Sequence, residues 1–95
     1  MTQRGRPVMT LNFPNASRSY DATRHLVRFW GYDGALEVSF LVEVSALRKL
    51  MPQMSSLEAG CLEAFDAVRE RILEAARKAY GRAGGGPYLL AAADF

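Results

Sequence analysis

The stretch that decides the fold is HLVRFWGYDGALEVSFLVEV, residues 25–44. Two runs rich in β-branched and aromatic residues, 25–32 and 35–44, flank the pair Asp33-Gly34. An Asp-Gly pair tolerates the positive φ angles of a type I′ turn. The stretch therefore predicts a β-hairpin whose two-residue loop is Asp33-Gly34.

The predicted register, with Tyr32 opposite Ala35, sorts the hairpin into two faces. Because side chains alternate along a strand, one register assigns every residue to a face. The first face is uniformly apolar and predicts the core side of the sheet: Val27, Phe29, Leu36, Val38, Phe40 and Val42. The second face is mixed: Arg24, Leu26, Arg28, Trp30, Tyr32, Glu37, Ser39 and Leu41.

Short elements are predicted on both sides of the hairpin. From Val8 onward the pattern is strand-like: Met9, Leu11 and Phe13 alternate with polar residues and predict a short strand that Pro14-Asn15 terminates. Residues 17–21 are turn-like. After the hairpin, Ser45 is a candidate N-cap for a short helix over 46–51 that Pro52 stops.

A long helix is predicted from Ser55 or Ser56 to residues 80–82. Ser55-x-x-Glu58 fits a capping box, and the glycines at 84–86 form a flexible connection after the helix. Apolar residues recur every three or four positions and predict its buried stripe: Cys61, Phe65, Val68, Ile72, Ala75 or Ala76, and Ala79. Tyr88-Leu89-Leu90 predicts a last strand.

These elements predict an α+β fold. We expect about four strands in a mostly antiparallel sheet, with one short and one long helix packed on one face. Residues 1–7 predict a flexible basic tail, and residues 8–95 a single domain. A chain of 95 residues has room for one core.

Composition excludes several special classes of protein. The hydrophobic share of 49% and the charged share of 23% are typical of globular domains rather than disordered chains. With one cysteine, Cys61, the chain forms no internal disulfide, which favours a reducing, cytoplasmic location. It has neither the apolar stretch of a signal peptide nor a membrane-spanning run, so we expect no membrane association.

Enzymatic chemistry has little support in the sequence. His25 and Cys61 are the only residues of their types, and neither lies in a catalytic signature. Cys61 lies on the core stripe, where a thiol acts as a small hydrophobe with a raised pKa. Paired metal-ligand motifs are absent, so we expect no catalytic residue, no metal site and no cofactor.

The mixed face of the hairpin is the candidate interaction surface. Arg24, Arg28, Trp30 and Tyr32 alternate along one strand, so cations and aromatic rings project from one side of the sheet. Our first hypothesis is a small non-enzymatic interaction or regulatory module that covers this face with a protein partner, as in a homodimer. The alternative is a module that binds single-stranded nucleic acid through the same residues.

Several spaced motifs cover about residues 9–95: Leu11-x-Phe13-Pro14-x-x-x-Arg18-x-Tyr20-Asp21, Val27-x-Phe29-Trp30-Gly31-x-Asp33, Glu37-Val38-x-Phe40, Ala46-Leu47, Ala64-Phe65-Asp66-x-x-Arg69-x-x-Ile72, Ala76 with Tyr80, and Tyr88-x-Leu90 through Asp94-Phe95. In this order and spacing, they resemble a family of short, single-domain proteobacterial proteins of unknown function. The resemblance implies no activity, cofactor or catalytic residue.

The resemblance also draws attention to polar residues set among apolar ones. They are Arg18, Tyr20, Asp21, Asp66 and Arg69, with Asp94 near the end of the chain. One hypothesis is a structural network of arginines and carboxylates that ties the loop after the first strand to the long helix. The other is a small-molecule site at the same place.

Overall fold

The computed structural model describes residues 11–80 and 86–95 of the chain. In chain order, these residues form β1 (Leu11–Asn12), β2 (Arg18–Asp21), β3 (Leu26–Asp33), β4 (Leu36–Glu43), α1 (Val44–Leu50), α2 (Glu58–Ala67), α3 (Arg69–Ala79), β5 (Tyr88–Leu90) and a 3₁₀ turn (Ala92–Asp94). The fold is therefore a mixed α/β fold with a five-stranded, mostly antiparallel sheet and three α-helices within the described residues. The predicted tail over 1–7 and most of the predicted glycine connection lie outside the described residues.

The sheet is built around the β3–β4 hairpin. One edge of β3 pairs with β4, and the other edge pairs with both β1 and β2. Beyond β4 lies β5, which is the one parallel neighbour in the described sheet. The chain reaches β5 through the three helices, because a parallel partner needs a long crossover connection.

The hairpin turn differs from the predicted one. Asp33 pairs with Leu36, so the loop is Gly34-Ala35 and the register is shifted by two residues from the prediction. Gly34 has φ +63°, and Asp33 keeps a strand conformation, so glycine takes the first loop position as in a type II′ turn. Because the side-chain period of a strand is two, a two-residue shift leaves every residue on its predicted face.

Residues 18–21 form strand β2, and the prediction of a turn there is wrong. Arg18 pairs with Phe29 and Asp21 with Leu26. The strand forms because the edge of β3 needs a partner for its backbone groups, which is a tertiary requirement and not a local pattern. Asn12 pairs with Tyr32 and Arg18 pairs with Phe29, so residues 13–17 lie beside only two residues of β3. This connection therefore bulges out of the sheet.

The predicted long helix is two helices. α2 ends and α3 begins at Val68, which has the non-helical dihedrals φ −113° and ψ 23°. Neither Ser45 nor Ser55 caps a helix: α1 follows directly from β4, and α2 begins after Leu57. Ser55 instead accepts a hydrogen bond from the backbone N–H of Leu57, and Ser45 donates to the Glu43 carboxylate.

The core lies between the inner face of the sheet and the helices. Phe29 stacks on Phe40 at 5.3 Å between ring centroids and contacts Phe65 of α2 at 5.2 Å. The predicted inner face is buried except at Leu36, which is 64% exposed beside the turn. The predicted helix stripe is buried except at Val68, which is half-buried: Cys61, Phe65, Ile72, Ala75, Ala76 and Ala79.

Gly31 permits the closest approach between the sheet and the β1–β2 connection. A Cβ atom at this position would lie 2.7 Å from the Asn12 carbonyl oxygen and 2.8 Å from the Phe13 ring. Only glycine fits there, because those distances are inside van der Waals contact. The Phe13 ring thereby reaches the core and packs 6.0 Å from Phe29.

None of the helices in residues 11–80 and 86–95 has the length and apolar character needed to span a bilayer.

Candidate functional site

The outer face of the sheet is the side opposite the helices. The helices pack against the inner face of the sheet and form the core with it. The side chains of β3, β4 and β5 that point away from the helices therefore form a separate surface. We define the outer face by Arg28, Trp30, Tyr32, Glu37, Ser39, Leu41 and Leu89. Three of the four predicted interaction residues lie on it, and the fourth, Arg24, lies in the turn before β3.

Arg28 is held in one position above the outer face. Its Cζ atom lies 4.8 Å from the Trp30 ring centroid. Its Nη2 atom donates a 3.2 Å hydrogen bond to Ser39 Oγ and lies 3.6 Å from Glu37 Oε2. Stacking on an aromatic ring and pairing across the strand orient the planar guanidinium group.

A groove of about 660 Å³ opens beside β4. Arg24 and Arg28 line it from the β3 side of β4, and Pro87 and Tyr88 line it from the β5 side. The complete lining also holds apolar residues and a few polar ones: Leu36, Glu37, Val38, Ser39, Leu41, Tyr80 and Gly86. Trp30 and Tyr32 do not line it, so the four predicted interaction residues divide between the groove and the rest of the outer face.

Arg24 reaches the groove from a tight turn. Its backbone N–H donates a 3.1 Å hydrogen bond to Asp21 Oδ1, and its Nε atom lies 3.9 Å from Asp21 Oδ2. The next residue, His25, has φ +55°, so β3 begins at Leu26, one residue later than predicted. This conformation is uncommon for a non-glycine residue, although histidine adopts it more often than most.

Tyr80 closes one end of the groove at the hairpin turn. Its hydroxyl donates a short hydrogen bond to Asp33 Oδ2, and its ring meets Tyr88 edge-on at 5.8 Å. The hydrogen bond to the Asp33 carboxylate, with a contribution from desolvation, raises the pKa of Tyr80 above the usual value for a phenol. Tyr80 is therefore a fixed neutral group of the groove at neutral pH.

Arg18 and Asp66, two of the five residues in the second predicted set, form a two-point ion pair. Arg18 Nε donates to Asp66 Oδ1 at 2.9 Å, and Nη2 donates to Oδ2 at 2.7 Å. The Asp66 carboxylate accepts both bonds and raises the pKa of Arg18. Since both carboxylate oxygens accept a bond from Arg18, the pair ties β2 to α2.

Arg69 lies close to this pair but holds a different segment. Its Nη2 atom donates a 2.8 Å hydrogen bond to the Asn15 carbonyl oxygen, and its Cζ atom lies 5.7 Å from the Phe65 ring centroid. Its Nη1 atom is buried without a hydrogen-bond partner among the described residues. Arg18 and Arg69 together fasten the β1–β2 region to the junction of α2 and α3.

Tyr20 and Asp21 do not join that network. Tyr20 points inward beside Cys61, and Asp21 belongs to the turn that holds Arg24. Desolvation raises the pKa of the buried Cys61 thiol, against smaller lowering effects of Arg48 and the Tyr20 hydroxyl. Residues 11–80 and 86–95 hold no group of three or more His, Cys, Asp and Glu residues arranged to bind a metal.

Sequence reasoning missed most of the groove. Glu37, Ser39 and Leu41 were assigned to the correct face, but nothing local linked them to Tyr80 or Pro87, which lie far along the chain beyond the three helices. The parallel pairing of Val42 with Leu90 brings the two segments together. The only signal in the sequence was the mixed polar and apolar character of the face.

The comparisons with known proteins identify a family without an activity. No curated protein and no solved structure matches the chain. A family profile described as "Protein of unknown function (DUF1488)" matches residues 11–90, from the first described strand to the last. That span covers most of the 95-residue chain, and the protein therefore belongs to the DUF1488 family of proteins of unknown function.

Proposed function

We propose that the protein is a small non-enzymatic binding module whose ligand site is the groove beside β4. The observation that carries the proposal is a concave space of about 660 Å³ with apolar walls and a few convergent polar groups. Small-molecule sites have this size range and this composition. The site differs from the small-molecule site expected at the Arg18–Asp66 pair, whose hydrogen-bonding groups engage each other.

The lining supports binding rather than catalysis. The Ser39 hydroxyl is the candidate nucleophile in the groove, and it accepts a hydrogen bond from Arg28. A serine nucleophile needs a neighbouring base that takes its proton, and a guanidinium group stays protonated in proteins. The Glu37 carboxylate lies 3.6 Å from the Arg28 guanidinium group.

The proposal includes a cytoplasmic location, supported by a single, fully buried cysteine. Disulfides are rare in that compartment, and a buried thiol needs no partner there.

Ligand-observed NMR tests the proposed site. A library of small organic acids, amines and neutral aromatic compounds is screened against the natural protein and against Leu41→Trp, whose indole fills the groove. Glu74→Trp places the same indole on an exposed position of α3 and is the matched control. We expect hits that Glu74→Trp retains and Leu41→Trp loses. A screen without hits, or hits that survive Leu41→Trp, would overturn the proposal.

Self-association is the second candidate function. Leu89 is a large apolar residue that is 52% exposed on the outer face. The same surface carries Arg28 and Glu37, and a two-fold interface pairs unlike charges from two copies. Sedimentation velocity at increasing concentration should then show a dimer that Leu89→Lys weakens. A monomer at every concentration would reject this candidate.

Single-stranded nucleic acid fits the outer face less well. Arg28 covers one side of the Trp30 ring, and both Trp30 and Tyr32 are half-buried. Nucleic-acid binders of this type need open aromatic rings on which bases stack. Titration of oligonucleotides at low salt, read from the fluorescence of Trp30, distinguishes this function from the other two.

A further inference from the structure

We propose that the groove beside β4 selects a small organic acid with a flat apolar body, a ligand class that rests on the proposed binding function. The carboxylate of the acid binds between Arg24 and Arg28, and its apolar body lies along Leu41 and Pro87. The proposal follows from how the arginines of the described chain are bonded and from which charged and apolar residues line the groove.

The described arginines next to carboxylates fall into two groups. Arg18 makes two hydrogen bonds of 2.7 and 2.9 Å to Asp66, which is the geometry of a complete pair. Arg28 lies 3.6 Å from Glu37, and Arg24 lies 3.9 Å from Asp21, both beyond hydrogen-bond distance. Exposed contacts of that length contribute little and are readily exchanged for a better acceptor.

Arg24 and Arg28 also have the exposure that a ligand requires. Their side chains are 67% and 43% exposed, and both line the groove. Arg28 is already oriented by the Trp30 ring and Ser39. An oriented guanidinium group loses little conformational entropy when it binds a carboxylate.

The charged side chains that line the groove carry a net positive charge. They are Arg24, Arg28 and Glu37, and Glu37 Oε2 lies 3.6 Å from Arg28 Nη2. An anionic group is therefore attracted to the two arginines, and Glu37 competes with it for Arg28.

Apolar residues make up much of the remaining lining and suit a flat ligand. Leu41, Pro87 and Tyr88 are among the residues that line the groove. Tyr88 is itself held by stacking on Phe40 at 5.5 Å. Aliphatic and aromatic side chains around a cavity of this size can bury most of a two-ring molecule.

Three probes of the same shape and different charge test the ligand class. They are 2-naphthoate, 2-naphthamide and 2-naphthylmethylammonium, titrated into the full-length protein by NMR. We expect naphthoate to bind about tenfold tighter than the amide, because a charge-assisted hydrogen bond replaces a neutral one. The ammonium compound should bind weakest.

Variants assign the preference to the two arginines. Arg24→Gln and Arg28→Gln should each reduce the preference for naphthoate and leave the affinity for the amide within about twofold. Glu37→Gln should tighten naphthoate, since it removes the repelling charge. Arg71→Gln, an exposed position on α3, is the control and should change nothing. The amide affinity also reports whether each variant is folded.

Each outcome decides one of the two proposals. Equal affinities for the three probes, or a preference for the ammonium compound, would overturn the ligand class while leaving the groove as a binding site. Failure of all three naphthyl probes, when other compounds from the screen bind in the groove, would also overturn it. The absence of any groove ligand would overturn the proposed function itself.

Discussion

Arg18 of β2 and Asp66 of α2 join an edge strand to a helix through two parallel hydrogen bonds of 2.9 and 2.7 Å. The two residues are 48 positions apart, so the pair closes a long loop of the chain. β2 is a short strand of four residues that pairs with β3 on one side. The ion pair is therefore one of the contacts that hold this edge of the sheet in place.

Removing either partner of this pair should destabilise the protein modestly. The side chains are 30% and 49% exposed, so we expect Asp66→Asn and Arg18→Gln each to lower the free energy of unfolding by about 0.5–1 kcal/mol. Denaturant unfolding of both single variants and the double variant gives the coupling energy. Glu63→Gln, at an exposed position of α2, is the control, and purely additive effects would contradict the pairing.

Gly31→Ala should destabilise the protein much more. The new methyl group would overlap the Asn12 carbonyl and the Phe13 ring, and overpacking of this kind costs about 1–3 kcal/mol. Phe13→Leu in the same chain should recover part of the loss, because it removes one of the two clashes. Gly86→Ala, whose nearest contact is 3.4 Å, should change the unfolding free energy by less than about 0.5 kcal/mol.

Tyr80 should lose its proton only at strongly alkaline pH. The Asp33 carboxylate accepts its hydrogen bond and opposes a second negative charge, so the pKa in the folded protein lies above that in the unfolded chain. The stabilisation from this bond is complete below the unfolded pKa and is lost as the pH rises through the folded pKa.

NMR titration of ring-labelled tyrosine measures this effect at each residue. Asp33→Asn should lower the pKa of Tyr80. It should leave Tyr20 unchanged, because the pKa of Tyr20 is raised mainly by desolvation and by its neighbour Cys61. A shift of both residues by the same amount would point to a global change instead of the Tyr80–Asp33 bond.

Cys61 should resist modification while the protein is folded. Its side chain is fully buried, and desolvation raises the pKa of the thiol, so the reactive thiolate is scarce and inaccessible. We expect labelling by a disulfide reagent to be slow in buffer and complete in denaturant. A destabilising change such as Gly31→Ala should speed labelling in buffer, and Glu63→Gln should not. Rapid labelling of the natural protein would contradict the burial.

The hairpin shows how much of the structure a local sequence pattern can predict. The alternation in residues 25–44 predicted two strands and the correct face for each side chain, because the apolar set can be buried in only one way. It misplaced the loop by one residue. A glycine can occupy either position of a two-residue loop. Whether the other loop residue is Asp33 or Ala35 depends on the register of the whole strand pair.

The helical region shows a feature that the local sequence pattern did not predict. The stripe from Cys61 to Ala79 was correct, yet the break at Val68 occurs without a proline or glycine. Asp66 and Arg69 lie on either side of the break and bond to Arg18 and Asn15 from the other end of the chain. Such contacts have no local signature.

The amino-acid sequence alone determined most of the buried set, with Leu36 and Val68 as exceptions, since burial follows largely from the hydrophobic period of neighbouring residues. It also determined that Arg24 and Arg28 belong near the polar face of the hairpin. Only the tertiary structure decided what stands beside them. The strand β2 formed because β3 had an open edge, and the groove formed because β5 returns parallel to β4 and places Pro87 and Tyr88 opposite the arginines. Strand β2 and the groove both depend on contacts between residues that are distant in the chain. A local sequence pattern contains no information about the energies of such contacts.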